Sequence, residues 1–181
     1  MPDPRELRID RVAFTHPDAQ RLVAEVQAEY VVRYGGPDET PLEPTMFDPP
    51  RGAFFVGYLD DVPVATGAWR LRGDVEVFGT RATAEVKRMY VARAARHAGL
   101  ARRMLAHLEE TAHAAGAGAA ILETGIAQPE AIALYESSGY VAIPGFGHYR
   151  YSPLSRCLAI ALPVIRQRQS PASPDRTDPG T

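Results

Sequence analysis

The sequence predicts a mixed α/β fold, and three observations carry that prediction. Strand-like apolar runs and helical stripes are interspersed between residues 7 and 162. Prolines and glycines fall at the joints between them. No apolar run reaches the roughly 20 residues of a membrane span, so the elements are expected to pack against one another in water.

The elements follow in order. Residues 7–14 alternate between apolar and polar and read as a first strand. Thr15 with Asp18 resembles a capping box, and Pro17 suits a first helical turn. Leu22, Val26 and Tyr30 recur every four residues, which predicts an amphipathic helix stopping at Gly35-Gly36. Residues 36–52 are rich in proline and acid, and a loop this long within a domain is often functional. Residues 53–58 and 62–71 read as strands joined by a turn at Asp60-Asp61; residues 75–78 are ambiguous, and residues 84–91 form the central strand. Leu100, Met104, Leu105, Leu108, Thr111 and Ala112 make one helical stripe, ending near Gly116 and Gly118. Residues 119–123 are short and apolar, consistent with a buried parallel strand. Pro129 and Gly139 bracket a further helix, and residues 140–143 and 156–162 read as closing strands.

Bulk properties bound the function. At 181 residues, one domain is expected over 1–166, with a disordered Pro/Ser/Asp/Arg-rich tail over 167–181. A net charge of −2 argues against a general nucleic-acid binder. The N-terminus lacks a signal-peptide core, so a cytoplasmic protein is the default expectation. Cys157 is the only cysteine, which excludes an internal disulfide, and it reads as a small core residue. The five histidines do not cluster with metal spacing, and no metal is expected. Lys87 is the only lysine; the arginine bias is a hint of GC-rich, bacterial coding.

The most informative stretch is Arg96-His97-Ala98-Gly99-Leu100-Ala101, between the central strand and a helix. The first N–H groups of a helix have no internal partner, and the helix dipole adds positive potential there. Gly99 lets a ligand approach bare backbone, and Arg96, Arg102 and Arg103 add charge suited to phosphate oxygens. Neither GxxxxGK[ST] nor GxGxxG is present, so the two better-known phosphate loops are excluded. A second block, residues 128–140, carries Leu134-Tyr135 and then Gly139-Tyr140.

With these two blocks the chain resembles the GNAT superfamily of N-acetyltransferases. Arg96, Gly99 and Ala101 match the family's Q/R-x-x-G-x-G/A acyl-CoA loop, and the second block matches its "LY" then "GF/GY" segment. The resemblance covers about residues 56–162 and implies a mostly antiparallel sheet whose two central strands run parallel and splay apart, flanked by helices. It implies acetyl-CoA as acyl donor, with the backbone of residues 97–102 holding pyrophosphate. Met89, Tyr90 and Val91 would pair their backbone with the pantetheine arm. Gln128 stands where many relatives have a cofactor-contacting asparagine. Tyr135 takes the position of the general acid that protonates the leaving thiolate. Relatives are often homodimers, although no interface signature is read here.

The base is read from the strand itself. Period two puts Glu85, Lys87, Met89 and Val91 on one face and Val86, Arg88 and Tyr90 on the other. Glu85 is the first candidate, Glu123 at the end of the next strand competes with it, and water is the third option. In the family the loops at 36–52 and 144–155 line the acceptor pocket. The acids of the first (Asp38, Glu39, Glu43, Asp48) and Arg150 of the second point to an amino acid or related small amine. Two other readings stay open: a non-catalytic acyl-CoA-binding module, and an enzyme acting on a protein or peptide amine. A closed pocket between the loops would argue for a small molecule, and a shallow groove for a peptide.

Overall fold

A computed structural model describes residues 6–164. The predicted tail at 167–181 lies outside them. Within them the order is β1 (Arg8–Val12), α1 (Pro17–Tyr34), β2 (Gly52–Leu59), β3 (Val62–Arg72), β4 (Thr83–Val91), α2 (Leu100–Ala114), β5 (Ala119–Gly125), α3 (Pro129–Ser137), β6 (Val141–Ala142) and β7 (Ser155–Ala161). The strands form one sheet ordered β1-β2-β3-β4-β5-β7-β6. Only β4 and β5 pair in parallel; every other neighbouring pair is antiparallel. This is the expected mostly antiparallel sheet with a parallel central pair.

Strand alternation divides the core. Ala53 and Phe55 of β2 join Leu100, Met104, Leu105 and Leu108 of α2 on one face, with Tyr135 of α3 nearby in the same cluster. Phe54, Val56 and Tyr58 point the other way, onto Ala19, Leu22 and Val26 of α1. Each fully buried leucine or phenylalanine contributes about 1.5–3 kcal/mol through burial. Helix α1 starts one residue later than the capping box implied. His16 is its N-cap, its Nδ1 accepting from the Asp18 N–H at 3.2 Å, and Gly35 closes it in the left-handed conformation. Asp60 and Asp61 both take positive φ in the β2–β3 turn, as a two-residue hairpin demands.

Two features of β4 create the site. First, its pairing with β5 ends at Val86↔Leu122, so the strands part from Lys87 and Glu123 onward. Second, its register with β3 slips: Thr66 pairs with Tyr90 but Ala68 with Lys87, leaving one extra residue in β4. Arg88 sits in that bulge at φ 54°. The bulge corrects the period-two reading. Val86 and Val91 both belong to the α2 face, with Met89 packed against it, whereas Tyr90 belongs to the α1 face. Met89 and Val91 therefore do not share a face with Glu85 and Lys87. The buried Thr66 hydroxyl donates to the Arg88 carbonyl at 2.7 Å and satisfies an acceptor within the disturbed ladder. Thr66→Val, close in shape, is expected to cost about 1–3 kcal/mol by leaving that carbonyl unpaired. Urea unfolding at unchanged m-value checks this; unchanged stability would remove Thr66 as the support of the bulge.

Candidate active site

The parted ends of β4 and β5 open onto a cavity of about 440 Å³. Its lining combines the end of α1 (Tyr30, Tyr34), both predicted acceptor loops, Lys87, Glu123 and Gln128. The two loops are joined: the Glu39 N–H donates to the Tyr149 hydroxyl at 2.8 Å. The first loop is also tied down beneath. Asp38 pairs with Arg88 of the bulge, and its N–H donates to Gln27 Oε1 at 2.9 Å. Burial alone would raise the Asp38 pKa, but hydrogen bonds from Thr40 and Arg88 outweigh it and hold the carboxylate at about 2. The acids of this loop are thus not all solvated, as the sequence left open: Asp38 is an anchor. Gly125 makes room for the rim. A Cβ there would stand 2.0 Å from the Tyr34 hydroxyl, so only glycine lets that ring close on the β5 backbone.

The carboxylates divide sharply. Glu85 is 3% exposed, and its Oε2 receives Arg70 Nε at 2.7 Å and Arg72 Nη1 at 2.9 Å while Lys87 approaches Oε1 at 3.3 Å. Burial would raise its pKa, but Lys87, Arg70 and Arg72 overcome this and keep it below the ordinary value. A carboxylate held ionised by three cations is a poor proton acceptor, so the expectation of Glu85 as base is revised. The same-face Glu85–Lys87 contact was read correctly from the sequence; the two arginines of β3 were missed, because they depend on the β3–β4 register.

Glu123 is the opposite case. Among the described residues it has no hydrogen-bond or ion-pair partner. Burial pushes its pKa up, Lys87 pulls it partly back, and Glu85 and Asp38 add to the rise, leaving it at about 7. It lines the cavity where the strands part. Tyr135 is buried on α3 against Tyr140, ring centroids 5.6 Å apart, and burial drives its phenol well above the ordinary value. It stays protonated at any physiological pH.

The loop before α2 has the expected backbone. His97 and Gly99 both take positive φ, at 66° and 74°, and α2 begins at Leu100 with no side chain capping it. A Cβ at Gly99 would meet nothing within 4 Å, so the turn is bare and open to a ligand. That is the fit a pyrophosphate needs, and Ala98, Ala101 and Arg102 flank it. The arginine side chains are more committed than their sequence implied. Arg96 pairs with Glu29 and donates to the Val91 carbonyl at 2.9 Å, and Arg102 donates to Ser137 and Ser138. Gln128 stands at the N-cap position of α3 without a side-chain capping bond, and its Oε1 accepts from the Tyr34 hydroxyl at 3.3 Å, at the cavity wall. Among the described residues no three His, Cys, Asp or Glu side chains converge for a metal, and no helix is long and apolar enough to cross a membrane.

The profile of the Acetyltransferase (GNAT) family matches residues 19–140. The chain belongs to the GNAT acetyltransferase family. N-acetyltransfer, the enzyme class expected from the loop and "LY" motifs, is the class of this family. The GNAT chain is 46% identical over 71 residues to an IAA acetyltransferase of Azospirillum brasilense; the match spans 39% of this chain and 46% of that relative. Among solved structures it is similar to a Klebsiella pneumoniae protein provisionally named an acyl-CoA N-acyltransferase (27% identical, TM-score 0.69, 87% of this chain and 99% of that one). A Salmonella typhimurium structure with its cofactor acetyl-CoA shares the fold at 14% identity (TM-score 0.55, 93% of this chain and 99% of that one).

The GNAT loop predicts the behaviour of Gly99→Asp. Aspartate tolerates the left-handed turn better than most residues and has open space there, so the fold should survive. It also places an anion where a pyrophosphate would sit. Acyl-CoA affinity is expected to fall at least about tenfold, the scale of one or two lost charge-assisted hydrogen bonds. Calorimetry with a melting control checks this, and undiminished affinity would move the pyrophosphate site elsewhere.

Proposed function

We propose that this GNAT protein transfers the acetyl group of acetyl-CoA to a primary amine on a small molecule, by direct attack within a ternary complex. One observation carries the reading: a carboxyl raised to about 7 by burial, Glu123, lines a cavity that two bonded loops rim at the opening between β4 and β5. A half-open cavity of about 440 Å³, rimmed by two bonded loops, has room for a small acceptor.

The donor, when bound, supplies an activated acyl group. This chain's residues do the rest. The bare turn at residues 97–102 holds the pyrophosphate, and the stretch Met89-Tyr90-Val91, beyond the last β4–β5 pair, offers backbone groups to the pantetheine amides and the thioester carbonyl. Glu123, ionised above pH 7, takes a proton from the incoming ammonium and leaves a neutral, nucleophilic amine. Tyr135 returns a proton to the departing thiolate. Gln128, engaged with Tyr34, is assigned to the cavity wall rather than to the cofactor. Much of the acceleration comes from holding two substrates together.

The test is thiol release from acetyl-CoA across amino acids, polyamines, aminoglycosides and peptides. Release driven by small amines is the expected result. Release with peptides alone would overturn the small-molecule reading. Tight acetyl-CoA binding without release on any amine would favour a non-catalytic binding module.

A further inference from the structure

We propose that Lys87 is a specificity-determining residue that binds a carboxylate on the acceptor, so that the amine presented to Glu123 belongs to an amino acid or a zwitterion of similar spacing. The inference rests on reading the cavity as the acceptor site.

Position is the first argument. Lys87 is the residue after the last β4 partner of β5, and Glu123 is the residue after the last β5 partner of β4. The two therefore face one another across the opening, and both line the cavity. A ligand bearing an amine and an anion a few bonds apart matches that pair in charge and in order.

Charge balance is the second. Around Glu85, three cations (Arg70, Arg72 and Lys87) meet two carboxylates, since Arg72 also pairs with Asp74. The cluster keeps one surplus positive charge. Both arginines hold Glu85 Oε2 within 2.9 Å, whereas Lys87 reaches Oε1 at only 3.3 Å, long for a charge-assisted bond. The surplus falls on Lys87. Its side chain is 10% exposed, and an ammonium has three donors, of which the described residues use one. A buried cation with spare donors is costly until an anion completes it.

The neighbouring acids do not supply that anion. Asp38 is taken by Arg88 and Thr40, Glu39 lines the cavity only as an exposed residue, and among the described residues Glu123 acts on Lys87 through charge without an ion-pair contact. Arg150, the carboxylate holder suggested by the sequence, stacks on Tyr151 at 4.9 Å and does not line the cavity. Tyr30, Tyr34 and Tyr149 supply an aromatic wall, which favours an apolar or aromatic substituent on the acceptor.

The experiment compares each amino acid with its own amide, which keeps the amine and side chain but lacks the negative charge. In the wild type kcat/KM for the acid should exceed that for the amide at least about tenfold, the scale of a lost charged hydrogen bond. Lys87→Gln should collapse that ratio to within about threefold, chiefly through KM for the acid, and Lys87→Arg should retain a preference for the acid. Rates are compared per neutral amine, because the amide's ammonium is more acidic than the acid's; loss of Lys87 also alters the charge around Glu123, but both members of a pair share that change, so the corrected ratio isolates the carboxylate contact. Equal use of acid and amide by the wild type would overturn the inference even if the variants fail to fold. A preference that survives Lys87→Gln would overturn it too. In both cases thiol release leaves the acetyltransferase reading standing, whereas no release with any member of any pair would remove both.

Discussion

Glu123→Gln is expected to lower kcat by about 10²- to 10⁴-fold, the usual contribution of a positioned general base. The same change should erase an ascending limb of the pH–rate profile near pH 7. The sign follows from the chemistry. A base works deprotonated, so wild-type activity rises with pH through about 7 and then levels. Stability should move the opposite way. The carboxyl goes from 4.5 to about 7 chiefly through burial, so the folded state binds its proton more tightly. Its contribution is full at low pH and is lost as pH rises between those values. Glutamine cannot ionise, so Glu123→Gln should lose less stability than the wild type between pH 5 and pH 8. Glu85→Gln is the contrasting variant. It leaves Arg70, Arg72 and Lys87 without their shared anion, and breaking a buried ion cluster costs about 3–5 kcal/mol. It should lower the melting temperature yet keep an ascending inflection in whatever activity remains, moved below its wild-type position because Glu85 no longer helps to raise Glu123. An inflection that disappears with Glu85 and persists without Glu123 would reverse the assignment.

That reversal of roles marks the boundary of what the sequence discloses. The α1 stripe, the α2 stripe, the paired aspartates of the hairpin and the proline opening α3 are local signals, and the structure follows them. The sheet order came through resemblance, because no local period says which strands are neighbours. The surroundings of Glu85 are hidden for a similar reason. Its arginine partners lie 15 and 13 residues away, and only the register of β3 against β4 brings them to it. The bulge is the second hidden feature. An arginine at positive φ carries no compositional cue, yet it turns Met89 and Val91 to the α2 face and lends its guanidinium to Asp38. Glu123 was legible as a carboxylate ending a buried strand. Its rise toward neutrality depends on burial and on Glu85 and Asp38, which a sequence does not place beside it.

Tyr135→Phe should lower turnover by about 10²-fold while acyl-CoA affinity stays within about threefold. The split between the two readouts follows from where the tyrosine sits. Its ring is buried in the core against Tyr140, and phenylalanine keeps that packing, so the seating of α3 is preserved. The change removes one hydroxyl, whose proton is useful only as the thiolate departs. A leaving thiol of lower pKa needs that proton less. The penalty for Tyr135→Phe should therefore shrink with thioesters of more acidic thiols, a trend that a packing defect would not produce. The wild-type profile carries the same signature. Because burial raises the phenol pKa, no descending limb belonging to this residue should appear below about pH 10. Together with Glu123 this gives a rise near pH 7 and a plateau above it rather than a narrow bell. Turnover of Tyr135→Phe within threefold of wild type, with acetyl transfer shown to be rate-limiting, would remove the tyrosine as the acid and leave thiolate departure unassisted or served by water.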